Sequence, residues 1–202
     1  MSRFDRLSGL VGSAIAVTTL MFTSCSPSRT GTSHGATSPG PTIASGLILQ
    51  ANEGERRIRR PPPSSVATLA APLIIKVDRR QGGSPDFFMG FEDIPVGRAI
   101  AAHRHPNMDE ILFVHRGTGR ASVGAKEGSV SAGATIYIPR DTRVTLRNTG
   151  TEPLTILFIF PNPDIGKYFR DFSVPEGERA APFTAEEFTL LRARYRSHVI
   201  FE

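Results

Sequence analysis

The stretch Gly97–Gly117, GRAIAAHRHPNMDEILFVHRG, holds three side chains able to ligate a divalent metal: His103, His105 and Glu110. Side chains alternate faces along a β-strand, so His103 and His105 project together from one strand. Pro106-Asn107-Met108 supplies turn chemistry. Asp109-Glu110 then opens a second apolar run, Ile111-Leu112-Phe113-Val114, which reads as the partner strand. An antiparallel return brings Glu110 back beside the two imidazoles. Two imidazole nitrogens and one carboxylate on one face of a metal is the arrangement of non-haem Fe(II) oxygenases. The alternative for Glu110 is a buried acid bonded to backbone, because an unpaired buried carboxylate is costly.

Further along, Gly133, Pro139 and Asn148 flank a second strand pattern. Thr142, Val144 and Leu146 share one face there, and Arg143, Thr145 and Arg147 share the other.

Together these stretches resemble the two motifs of the cupin superfamily. The first runs Gly, five residues, His-x-His, three or four residues, Glu, six residues, Gly. Gly97, His103, His105, Glu110 and Gly117 meet it at every spacing. The second runs Gly, five residues, Pro-x-Gly, two residues, His, three residues, Asn. Gly133, Pro139 and Asn148 meet it, but Asp141 stands for the glycine and Val144 for the histidine that is the fourth metal ligand. The resemblance covers about residues 70–172. It implies an all-β fold, a cupin-like jelly-roll β-barrel with one or two C-terminal helices. It also implies a divalent transition metal (Fe, Mn, Ni, Cu or Zn) on His103, His105 and Glu110. A small-molecule ligand would lie against inward residues such as Leu112 and Val144, with Tyr137 as a donor. Small cupins often dimerise, so a homodimer is expected.

Two function classes follow. One is a metal-dependent enzyme of the dioxygenase or isomerase sort, acting on a small organic molecule. The other is a non-catalytic, membrane-anchored module that captures a sugar or similar ligand, with weak or no metal. The valine at 144 favours the second.

The rest of the chain fits one domain with extensions. Among 202 residues, 19 glycines and 16 prolines favour many turns over long helices. Strands are expected at Leu73–Val77, Asp86–Ile94, Arg98–His105, Glu110–His115, Gly119–Val123, Ser129–Ser131, Thr135–Ile138, Thr142–Arg147 and Leu154–Phe160. Asn162 before Pro163 starts one helix, Pro163–Asp171. Thr184-Ala185-Glu186-Glu187 is a capping box. It starts a second helix, running to about Arg196, with Phe188, Leu191 and Tyr195 on one face. His115 falls on the face opposite Glu110, and His198 reads as structural. Asp109 reads as a turn residue bonded to backbone. Arg140, Arg143 and Arg147 read as a solvated strand edge.

The N-terminus reads as a targeting signal. Arg3 and Arg6 precede the apolar run Leu10–Phe22, which is too short for a comfortable membrane span. Cys25, the only cysteine, follows at once. This resembles the bacterial lipoprotein signal, with Phe22 departing from the usual leucine. It implies export to the periplasm and a lipid anchor on Cys25. The expected organisation is a signal peptide at 1–24, a flexible Ser/Thr/Gly/Pro-rich and basic tether at 25–66, a barrel at 67–161 and a helical extension at 162–202. His34 lies in the tether. Arg56-Arg57-Ile58-Arg59-Arg60 and Pro61-Pro62-Pro63 read as its solvated, stiff end. The formal charge of +5 is mild, and with no aromatic interleaving in the basic patch it argues against a nucleic-acid partner.

Overall fold

A computed structural model of the chain describes residues 46–63, 72–81 and 86–202. The expected signal peptide, Cys25 and His34 lie outside the described residues. Twelve strands and two α-helices follow along these residues. The strands are β1 (Glu55–Arg59), β2 (Leu73–Val77), β3 (Phe88–Ile94), β4 (Ala99–Arg104), β5 (Glu110–Arg116), β6 (Thr118–Val123), β7 (Lys126–Ser131), β8 (Thr135–Ile138), β9 (Val144–Asn148), β10 (Leu154–Phe160), β11 (Ser173–Pro175) and β12 (Ile200–Phe201). The helices are α1 (Ile165–Asp171) and α2 (Ala185–Arg194).

Alternation makes these segments strands. In β5, Glu110, Leu112 and Val114 turn inward, while Ile111, Phe113 and His115 face out. β10 (LTILFIF) is almost wholly apolar and sits between β3 and β5 in the interior of its sheet. Two antiparallel sheets result. The seven-stranded sheet runs β11-β1-β2-β3-β10-β5-β8, and the five-stranded one β12-β4-β9-β6-β7. Sequence-distant neighbours in both sheets are the mark of a jelly roll. The core between them includes Phe88, Leu112, Val114, Val144, Leu146, Ile156, Phe158 and Phe160.

Three expectations are corrected. The hairpin partnership of the two strands around Pro106 does not form. β4 pairs with β9 and β12, and β5 pairs with β10 and β8. Pro106–Asp109 is instead a corner between sheets, so Glu110 meets the histidines across the barrel. The basic patch at 56–60 is not tether. β1 pairs with β2 on one side and β11 on the other. Its Arg57 is buried, with Nε donating to Ser173 Oγ at 2.7 Å. Arg170 ties it to α1 through Glu55 (2.9 Å), so the guanidiniums here are structural. The tail after 162 is not solely helical, because β11 and β12 complete the two sheets.

Smaller shifts concern ends. Helix α1 starts at Ile165, since Asn162 Oδ1 accepts from Asp164 N (2.9 Å) in a turn ahead of the helix. The capping box of α2 is present: Glu187 N donates to Thr184 Oγ1, and Thr184 N donates to Glu187 Oε2. Leu191 and Tyr195 bury against the barrel. β9 begins at Val144 because Asp141 bends the chain with φ 57°, in the left-handed region. That conformation accounts for the glycine of the cupin motif, and Arg104 Nη1 donates to the Asp141 carboxylate at 2.6 Å.

Candidate functional site

His103 ends on β4, His105 follows one residue past that strand, and Glu110 opens β5 from the opposite sheet. Their ligand atoms all lie within 4.8 Å of one another. His105 and Glu110 are 4% and 5% exposed. The imidazoles meet edge to face with centroids 5.0 Å apart.

Each ring is oriented from behind. His103 Nδ1 lies 2.8 Å from the Ala101 carbonyl, and His105 Nδ1 lies 2.6 Å from the His198 carbonyl. A carbonyl only accepts, so both Nδ1 atoms donate, and in the neutral rings both Nε2 lone pairs are free to ligate. Burial pushes the His103 pKa down against the opposing Glu110 charge, which favours the neutral, ligating form. His105 Nε2 lies 3.4 Å from Glu110 Oε2. Neither atom has a hydrogen-bond partner, although both are buried. Two facing acceptors with no donor between them fit a cation, so this donor set suits a divalent transition metal. His198, a structural residue in the sequence reading, thus contributes its carbonyl to the site.

The cluster opens into a cavity of about 630 Å³ between the sheets. Leu112 and Val144 line it, as the strand pattern implied. Val144 is 1% exposed and pairs across the sheet with His103, so the aliphatic side chain stands where a fourth ligand would. Tyr137 does not line the cavity. It lies between the buried Ile136 and Ile138, faces solvent at 57% exposure, and its hydroxyl donates to Asp109 Oδ2 (3.1 Å). Asp109 is a corner residue, accepting the Arg140 backbone N–H at 2.9 Å.

A family model described as a cupin domain matches residues 90–160, from β3 to the end of β10. Over these residues the chain is a cupin domain. This cupin is 30% identical over 88 residues to Protein SchB of Streptomyces halstedii, a match covering 42% of this chain and 64% of SchB. It is 26% identical over 110 residues to Polyketide synthase CurC of Streptomyces cyaneus, covering 52% of this chain and 71% of CurC. Among solved structures it is similar to a predicted oxalate decarboxylase from Thermotoga maritima. That match has a TM-score of 0.49 and 15% identity, with 57% of this chain and 99% of the other aligned.

Sequence reasoning missed several cavity residues of this cupin. Tyr168 on α1 lines the cavity, and burial raises its hydroxyl pKa so that it stays protonated at ordinary pH. Glu92 on β3 is 2% exposed, and Arg59 Nη2 donates to its Oε2. Phe158, Phe160, Phe169 and Phe172 add an aromatic wall, and Phe188 and Leu191 of α2 close one side. Apolar periodicity marked many of these as core, but nothing in it separated cavity wall from solid core.

Proposed function

We propose that this cupin is a metal-dependent enzyme acting on an aromatic or partly apolar small organic molecule. One observation carries the reading. His105 Nε2 and Glu110 Oε2 are buried without partners and converge with His103, an arrangement with a cost that a cation would offset. His103, His105 and Glu110 would hold the ion, which when bound supplies a Lewis acid toward an oxygen of the substrate. The remaining work falls to the chain. The Ala101 and His198 carbonyls hold both imidazoles in the ligating tautomer. The aromatic wall excludes water and stacks against a planar substrate. Tyr168 offers a cavity-lining phenol that stays protonated as a donor. A volume of about 630 Å³ is in the range that holds a drug-sized molecule. The likeness to CurC, named a polyketide synthase, supports a substrate of polyketide type. The sequence pattern at Arg3–Cys25 supports work outside the cytoplasm.

Val144 favours a second reading, a binding module with little or no metal. The two separate in a turnover screen. Metal-reconstituted protein is incubated with phenolic and dicarbonyl compounds, following oxygen uptake and ultraviolet absorbance. The enzyme reading expects turnover of at least one class that His103→Ala abolishes. Ligand-induced thermal shifts with no turnover, unchanged in His103→Ala, would favour the binding module.

A further inference from the structure

The cavity rim is unlike its interior. Among the charged residues lining it, both acids are buried inside: Glu110 at the candidate metal site and Glu92 paired to Arg59. The exposed charged residues are arginines: Arg98 just before β4, Arg147 on β9 and Arg192 on α2. Arg98 and Arg147 adjoin across the sheet, where Asn148 N donates to the Arg98 carbonyl and Arg147 Nη1 to the Gly97 carbonyl (3.1 Å). Arg192 Nη2 donates to the Phe201 carbonyl (2.9 Å), which fixes the guanidinium beside β12. None of the three has a carboxylate within ion-pair distance among the described residues. Each guanidinium carries five donors, so the single backbone bonds of Arg147 and Arg192 leave most of theirs free.

From this pattern we infer that the substrate is an amphipathic anion, an aromatic carboxylate with its rings on the phenylalanine wall and its carboxylate at the arginine rim. The inference deepens the proposed function and rests on the cavity being the ligand site. A guanidinium fork matches a carboxylate in shape, and charge-assisted bonds are the stronger kind. Three unpaired cations at one mouth also raise the local concentration of anions, an effect that salt weakens.

The test uses 2-naphthoate and its neutral near-isostere 2-naphthamide, with binding to the full chain read by naphthalene fluorescence at low ionic strength. The protein is first stripped of metal with a chelator, so that a carboxylate cannot bind by ligating an ion. The expected result is naphthoate binding about tenfold tighter than the amide, as charge-assisted pairing implies. Added salt, or the combined variant Arg98→Gln, Arg147→Gln, Arg192→Gln, should erase the preference and leave amide binding unchanged. Equal binding of the two probes would overturn the anion inference alone. So would a preference that survives in the variant, or one that appears only after metal is restored. Binding of neither probe would overturn the cavity as ligand site as well. Absence of metal from the native protein would remove the metal reading and leave this result standing.

Discussion

Replacing Glu110 with Gln should stabilise the metal-free protein while removing its metal site. His105 Nδ1 donates to the His198 carbonyl, so its Nε2 is an acceptor. The Glu110 Oε2 that it faces at 3.4 Å is also an acceptor. An amide N–H at residue 110 would give both atoms a partner without changing the side chain's shape. A buried unsatisfied group costs about 1–3 kcal/mol, so chelated Glu110→Gln should exceed the chelated parent by roughly that amount. For a chain of this size each kcal/mol moves Tm by roughly 2–4 °C. With metal at about a thousand times its Kd, the parent gains about 4.1 kcal/mol and the variant little, so the order reverses. Urea unfolding followed by far-ultraviolet circular dichroism, with and without metal, reads both limbs. A chelated variant less stable than the chelated parent would refute the reasoning. It would mean that His105 is protonated and Glu110 its structural counter-ion, since breaking a buried pair is destabilising.

Three further outcomes are expected. Val144→His places an imidazole opposite His103 on the cavity wall, and metal titration should show binding tighter by about tenfold or more, on the scale of ligand-support effects; unchanged affinity would remove Val144 from the ligand position. Gly90→Ala puts a Cβ onto the ring of Phe158, which is held by stacking against Phe88 and Phe169, and chemical denaturation should show a loss of about 1–3 kcal/mol with the cavity narrowed. Burial alone would raise the pKa of Glu55, but the Arg170 and Arg57 guanidiniums hold it below the ordinary carboxylate range. A depressed folded-state pKa gives stability that is full at neutral pH and lost as pH falls through the folded value. Glu55→Gln should therefore flatten the acid limb of a stability-versus-pH curve.

What the chain revealed before folding was local. Leu73–Val77, Thr135–Ile138 and Leu154–Phe160 are strands at the expected ends, because their apolar runs meet polar or turn residues abruptly. His103, His105 and Glu110 were legible because few residues separate them. The route by which they meet was not, since pairing β4 with β9 and β5 with β10 depends on partners far along the chain. β1 hid behind Glu-Arg-Arg-Ile-Arg, where charge suggested solvent. Arg56 finds the Glu176 carboxylate, and Arg57 the hydroxyl and carbonyl of Ser173, more than a hundred residues along the chain. Tyr137 could have been placed correctly: Ile136 and Ile138 claim the inner face, and alternation sends the residue between them outward. The carbonyl of His198 and the phenol of Tyr168 left no local signal.

The central claim is that two imidazoles and a carboxylate in this barrel hold a metal. Elemental analysis of protein purified without a chelating tag tests it most directly. The account predicts close to one transition-metal ion per chain, lost in His103→Ala while the fold, judged by circular dichroism, is kept. Protein that is metal-free as isolated and takes up none on titration, or a His103→Ala variant with the same metal content, would contradict it.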